Sequence, residues 1–103
     1  MTALLAILDP DVILHGDAGS VPAGRPLTLR GAAAVARGAR AGGTARARDA
    51  RIMLIDGVPG IAYAPHGQLA LVIAFTIPAD TITQIDVITD PGRLSELDLA
   101  MLN

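Results

Sequence analysis

The candidate residues for general acid–base catalysis are His15, Asp17 and Asp86, all on predicted strands. A carboxylate in an apolar pocket can act as a general base, because desolvation raises its pKa toward neutral pH. His15 and Asp17 are two residues apart on a predicted strand, which places them on one face, where they can orient each other. Asp86 stands between Ile85 and Val87, and a carboxylate there must be solvated or paired.

Each candidate also has a purely structural interpretation. A histidine such as His15 is more typical of a strand edge or a pocket lining than of a catalytic base. Asp17 is expected, on this interpretation, to form a local turn with Gly19. Asp86 would pair with an arginine of a neighbouring strand, either Arg48 or Arg51.

The sequence lacks the motifs of the common metal and cofactor sites. It contains no cysteine, which excludes thiolate ligands and disulfides. Its two histidines, His15 and His66, are far apart and form no ligand motif, and His66 falls in a predicted exposed turn. No glycine-rich phosphate loop opens a helix, and no serine stands in a nucleophile elbow. We therefore expect neither a metal nor a cofactor.

Composition predicts one small domain, 1–103, that does not act mainly on nucleic acids. The chain is 51% hydrophobic but only 2% aromatic, so aliphatic side chains must fill the core. All eight basic residues are arginines, and the formal net charge is −2, which argues against a nucleic-acid surface. The apolar run "LALVIAF" is too short to span a membrane, and the N-terminus lacks the features of a signal peptide. We expect a cytoplasmic protein without membrane contact.

Turn residues and apolar patterning predict an α+β domain. A short helix over 3–8 ends before Asp9-Pro10, and the alanine-rich stretch that begins at Gly31 predicts a second helix. Strands are predicted near 11–17, 26–30, 45–56, 60–64, 68–77 and 81–89. Helices followed by a run of strands favour a curved antiparallel sheet packed on helices.

A terminal helix is predicted after the last strand. Asp90 is a good N-cap, and Pro91 suits the first helical position, where its missing N–H costs nothing. Leu94, Leu97 and Met101 fall at helical spacing and form an apolar stripe. We expect this helix to cap one end of the sheet or to pack along its edge.

The strand over 68–77 is apolar on both faces, so both faces need cover. Its large odd-numbered residues, from Leu69 to Ile77, are predicted to face the helices. Its small even-numbered residues, extended by two residues of the final strand, are predicted to form an exposed patch and a homodimer interface. The interface residues are Ala70, Val72, Ala74, Ile85 and Val87.

Several segments, in this order, resemble SnoaL-like domains of the nuclear-transport-factor-2-like superfamily: "DVILHGDAGS", "RGAAAVAR", "LIDGVPGIA", "LALVIAFTI" and "ITQIDVITDPGRLSELDL". More narrowly, they resemble the C-terminal extension of a group of extracytoplasmic-function RNA polymerase sigma factors. The matching motif positions are Asp17 and Gly19, then Gly57, Pro59 and Gly60, then Asp90, Pro91, Arg93 and Leu94. Arg93 keeps the charge of the family lysine, whereas the first motif lacks the family's second glycine and its lysine. The superfamily's long first helix is shortened here.

This resemblance implies a cone-shaped α+β fold and a regulatory domain that contacts the sigma regions or RNA polymerase. It also implies two alternatives: an enzyme of the polyketide cyclase or ketosteroid isomerase type, and a module that binds a ligand in the same cavity. In the enzyme, His15, Asp17 or Asp86 would act in an apolar pocket. In an intact sigma factor, the apolar patch would dock on the preceding sigma regions instead of forming a dimer.

Overall fold

The residues that the structure describes form one seven-stranded sheet with flanking helices. The computed structural model describes residues 7–17, 25–38 and 49–101. The strands are β1 (Leu8–Gly16), β2 (Leu27–Arg30), β3 (Ala50–Ile55), β4 (Val58–Tyr63), β5 (Leu71–Thr76), β6 (Ile82–Ile88) and β7 (Leu99–Met101). The six predicted strands are therefore confirmed: β2, β5 and β6 are shorter than predicted, and β1 and β4 are longer. Residues 45–48 of the predicted third strand lie outside the described residues, and the seventh strand was not predicted.

The strand order is β2-β1-β6-β5-β4-β3-β7. All neighbouring pairs are antiparallel except β1 and β6, which run parallel. The sheet is therefore mixed, where the sequence predicted an antiparallel one. The parallel pair has a functional consequence, because the C-terminal ends of β1 and β6 lie side by side.

Two helices accompany the sheet in the described part of the chain. Helix α1 spans 32–38, within the predicted alanine-rich helix, and helix α2 spans Pro91–Glu96. A short 3₁₀ turn, Pro65–Gly67, lies between β4 and β5. The predicted helix over 3–8 lies almost wholly outside the described residues.

The predicted terminal helix is correct at its start and wrong in its length. Leu97 is already extended, with φ −79° and ψ 140°. An extended chain places Leu97 and Leu99 on the same side, and both pack against the apolar cluster around Leu94. The main chain of β7 also pairs with β3. Strand pairing and apolar burial thus replace the last turns of the predicted helix.

The turn between β3 and β4 consists of Asp56 and Gly57, with φ of +50° and +85°. Positive φ at both central residues is the type I′ geometry that Asp-Gly favours in two-residue hairpins. Pro59 and Gly60 belong to β4, which begins at Val58, two residues before the predicted strand. Gly60 is needed for packing, since a Cβ there would lie 2.5 Å from Ile55 Cδ1 and 2.6 Å from the Ile73 carbonyl oxygen.

The two faces of the sheet pack on different helices. The α1 face carries Leu14, Ile85 and Phe75, which pack with Val35 of α1. The α2 face carries Val72 and other residues that pack with Leu94 of α2, namely Ile55, Ala62 and Ile88. The odd-numbered residues Ile73 and Phe75 therefore face α1, as predicted, while Ile77 is exposed.

The five residues predicted as one interface do not form one exposed patch. Val72 and Ala74 belong to the α2 face, whereas Ile85 and Val87 belong to the α1 face. Val72 is fully buried, and Ile85 is 5% exposed. The prediction was wrong in its assumption that Val72 and Ala74 lack cover, because both pack in the cluster that contains Leu94 of α2, whereas Ala70 is exposed.

Candidate functional site

Asp17, which directly follows β1, hydrogen-bonds to residues far away in the sequence. Thr89 directly follows β6, and the two strands run parallel, so both residues emerge at the same end of the sheet. The Asp17 N–H donates to the Val87 carbonyl at 3.2 Å and continues the pairing. Topology alone thus brings residues from opposite ends of the sequence together.

The Asp17 carboxylate accepts three hydrogen bonds, two from Thr89 and one from Asp90. Oδ2 accepts the main-chain N–H of Thr89 at 2.6 Å and that of Asp90 at 2.9 Å. Oδ1 accepts the Thr89 hydroxyl. We call this contact between Asp17, Thr89 and Asp90 the motif junction, because it joins the first and last of the motifs found in the sequence.

The motif junction keeps Asp17 ionised. Burial raises the pKa of the Asp17 carboxyl, but the hydrogen bonds from Thr89 and Asp90 and the charge of Arg93 outweigh burial and lower the pKa below its usual value. A general base needs a pKa near the operating pH. Asp17 therefore acts here as a structural acceptor for two main-chain N–H groups, and the predicted local turn with Gly19 lies outside the described residues.

Helix α2 starts at the motif junction. The Asp90 side chain accepts the Arg93 N–H at 3.0 Å, which confirms the predicted N-cap. Leu94, one turn into the helix, is 7% exposed and anchors the helix to the α2 face. Capping and burial of a single leucine hold a helix of only six residues.

The far end of the same segment is held by the hairpin motif. The Asp56 N–H donates to the Asp98 carbonyl at 2.8 Å. In return, Asp56 Oδ1 accepts the Asp98 N–H at 2.9 Å. Residues 89–98, which we call the C-terminal segment, are thus fixed by one aspartate at each end, Asp17 and Asp56.

A shallow cavity of about 370 Å³ lies between the C-terminal segment and the residues before β5. It is lined by Leu69, Ala70, Thr89, Pro91, Leu94 and Ser95. The Ser95 hydroxyl donates to the Gly92 carbonyl, and the Thr89 hydroxyl donates to Asp17. Both polar side chains of the lining are therefore engaged within the protein.

His15 and Asp86 do not line this cavity. They are direct partners across the parallel pair, and Thr28 is the partner of His15 on the other side. Thr28 Oγ1 lies 3.4 Å from His15 Nδ1. The half-buried Asp86 accepts the Gln84 amide at 3.0 and 3.2 Å. Of the two arginines expected as its partner, Arg51 donates to the Ala50 carbonyl, and Arg48 lies outside the described residues.

This arrangement supports structural roles for the predicted site residues. His15 and Thr28 are exposed on the α2 face, and His66 is exposed in its turn, as predicted. No group of three potential metal-ligating side chains occurs within 7–17, 25–38 and 49–101. In the same residues, no helix is long and apolar enough to cross a membrane.

Sequence reasoning missed the partners of the aspartates. Thr89 and Asp98 donate to Asp17 and Asp56 over separations of 72 and 42 residues. A polar residue directly after a strand was the available signal for Thr89. It becomes informative only when β1 and β6 are known to be parallel.

Comparison with known proteins supports the fold. The structure is similar to the crystal structure of the extracytoplasmic-function sigma factor SigJ of Mycobacterium tuberculosis, with a TM-score of 0.69 and 22% sequence identity. The match covers 91% of this chain and 38% of the sigma factor chain. No protein-family profile and no curated protein matches the sequence. The predicted α+β fold, with a curved sheet on helices, is confirmed, and the predicted resemblance to a sigma factor is borne out at the level of structure.

Proposed function

We propose that this chain is a regulatory domain that modulates transcription initiation by protein–protein contact with sigma-factor regions or with RNA polymerase. The observation that carries the proposal is the fold likeness to an extracytoplasmic-function sigma factor over 91% of the chain. The chain spans 38% of that protein's length, so the likeness concerns one part of a larger polypeptide. A domain with this role works in the cytoplasm, beside RNA polymerase.

The motif junction supports a structural rather than a chemical role for the shared motifs. The carboxylates of Asp17 and Asp56 accept hydrogen bonds from main-chain N–H groups of the C-terminal segment. Such bonds fix the shape of a surface without providing a reactive group. A domain whose surface is fixed in this way fits a contact function.

The enzymatic alternative lacks an observation in its favour. Neither His15 nor Asp86 lines the cavity beside the C-terminal segment, and the pKa of Asp17 is lowered rather than raised. The cavity's own polar side chains, Thr89 and Ser95, already donate within the protein. We therefore put forward the regulatory function alone.

Binding and transcription assays test the proposal. The full 103-residue chain is immobilised, and its binding is measured to core RNA polymerase and to the promoter-recognition regions of an extracytoplasmic-function sigma factor, both from the organism that encodes the chain. We expect binding to one of them, and a changed transcript yield when the chain is added to a single-round reaction. Absence of binding to both, with an unchanged yield, would contradict the proposal.

A further inference from the structure

The half of the α1 face formed by β3, β4 and β5 is apolar and incompletely covered. Ile52, Ile61 and Ile73 are direct cross-strand partners and form one row across the three strands. Ile52 is 65% exposed, and the other two are half-buried. We call this region, with Leu54 and Tyr63 on the same face, the isoleucine strip.

Helix α1 does not reach most of the isoleucine strip. The cluster that contains Val35 of α1 includes Ile73 as a partly buried neighbour. Ile52, Leu54 and Ile61 belong to neither of the two apolar clusters formed by the described residues. The strip therefore extends from the core at Ile73 on β5 to the exposed Ile52 on β3.

Charge is absent from the strip itself, and two exposed carboxylates lie at one end of it. Within the described strands β3 to β5, the residues that point to the α1 face are all uncharged. Asp56, in the turn between β3 and β4, and Asp80, between β5 and β6, are both exposed at the same end of the sheet. An apolar partner with a basic residue at this end would be complementary.

The area of the strip is too small for a stable homodimer interface and matches the width and length of a short helix. Three strands at about 4.8 Å spacing, each of six residues, give an area of about 10–15 Å by 20 Å, or roughly 300 Å². A stable homodimer buries about 800 Å² per subunit, so the strip alone is too small for one. An α-helix is about 10 Å wide, and about 13 residues of helix span 20 Å.

We propose that the isoleucine strip is the docking site for one amphipathic α-helix of a partner polypeptide, with an apolar stripe against Ile52 and Ile61 and a basic residue near Asp56 and Asp80. A helix laid in an apolar groove is a recurring mode of protein recognition. This proposal identifies a surface through which the regulatory contact would be made. In that respect it rests on the proposed function.

Synthetic peptides test the site without the natural partner. The probes are a labelled 14-residue amphipathic peptide of Leu and Lys, its Leu and Glu counterpart, and a scrambled Leu and Lys peptide without an apolar stripe. Fluorescence anisotropy with the full chain measures their binding. We expect the first peptide to bind more tightly than both others. Equal binding of the scrambled peptide would reduce the effect to charge attraction and overturn the proposal.

Substitution of the exposed Ile52 locates the site. We expect Ile52→Asp to weaken binding of the Leu and Lys peptide by at least about tenfold. The control Thr76→Asp adds the same charge at an exposed position of the α2 face and should leave binding within about twofold. Circular dichroism verifies folding, and Ile52→Ser provides a milder variant. Equal binding to the wild type and to both Ile52 variants would refute the site.

Two further outcomes distinguish this proposal from a homodimer at the strip and from the proposed regulatory function. A wild-type dimer in sedimentation that Ile52→Asp dissociates would show that a second copy covers the strip, and the helix proposal would be wrong. Peptide binding at the strip without any binding to sigma regions or RNA polymerase would remove the regulatory function and leave the docking site. The two proposals therefore fail separately.

Discussion

Asp17 Oδ2 accepts the Thr89 main-chain N–H at 2.6 Å across 72 residues of sequence. The contact exists because β1 and β6 run parallel and end at the same edge. It fixes the point at which the chain leaves the sheet and enters α2. The aspartate of one motif thus sets the conformation of the other.

Replacing Asp17 tests how much this contact contributes to the free energy of unfolding. We expect Asp17→Ala to lower the free energy of unfolding by about 2–3 kcal/mol, because two main-chain N–H groups and a hydroxyl lose a charged acceptor. Asp17→Asn keeps an acceptor without the charge and should cost less. Urea denaturation measures both, and Asp80→Ala, in an exposed turn, serves as the control within about 0.5 kcal/mol. Equal stability of Asp17→Ala and Asp80→Ala would contradict the prediction.

The pH dependence of stability follows from the lowered pKa of Asp17. Because the pKa of its carboxyl is lower in the folded state than in the unfolded chain, Asp17 contributes stability above the unfolded value, about 3.9. The contribution is lost as the pH falls through the folded pKa. The stability difference between the wild type and Asp17→Asn should therefore be constant from pH 8 to 5 and shrink below about pH 4. A difference that grows on acidification would contradict the sign.

Asp56 combines a backbone and a side-chain requirement. Its φ is +50°, and its Oδ1 accepts the Asp98 N–H. Asparagine tolerates positive φ and keeps a carbonyl acceptor, so Asp56→Asn should be nearly neutral. Asp56→Ala loses both features and should cost about 2 kcal/mol. Thermal denaturation of the two variants provides the comparison, and equal melting temperatures would show that neither feature matters.

Gly60 tests the close packing of β3, β4 and β5. A Cβ there would lie 2.6 Å from the Ile73 carbonyl oxygen, which belongs to the backbone and cannot rotate away. We expect Gly60→Ala to destabilise the fold by about 1–3 kcal/mol through overpacking. The double variant Gly60→Ala with Ile55→Val relieves only the contact with the Ile55 side chain. Full recovery in the double variant would show that the backbone contact is harmless.

Local patterns predicted most elements of this fold, and long-range pairing explains what they missed. Runs rich in apolar and β-branched residues located β5 and β6, and the Asp90-Pro91 pair located the start of α2. The parallel pairing of β1 with β6 has no local signal, so the partners of Asp17 were not predicted. The predicted length of α2 was wrong for a similar reason, because the pairing of β7 with β3 competes with continuation of the helix.

The candidate site was only partly accessible from residue types. His15, Asp17 and Asp86 were selected for their chemistry, and the structure places each beside a polar partner: Thr28, Thr89 and Gln84, respectively. Residue type indicates that a polar group needs a partner, but not which one it finds. The exposed isoleucine strip, by contrast, required the register of three strands before it became visible.

Val72 separates the observed packing from the alternative in which the even-numbered residues of β5 form a dimer interface. Its side chain is fully buried in the cluster that contains Ile88 and Leu94. A buried, unpaired carboxylate is strongly destabilising, so we expect Val72→Asp to prevent folding, with loss of the circular dichroism signal and of the cooperative unfolding transition. Ala70→Asp, at an exposed position of the same segment, should fold normally. A Val72→Asp variant that folds as well as the wild type and differs only in sedimentation, as monomer instead of dimer, would contradict the burial of Val72 and restore the interface.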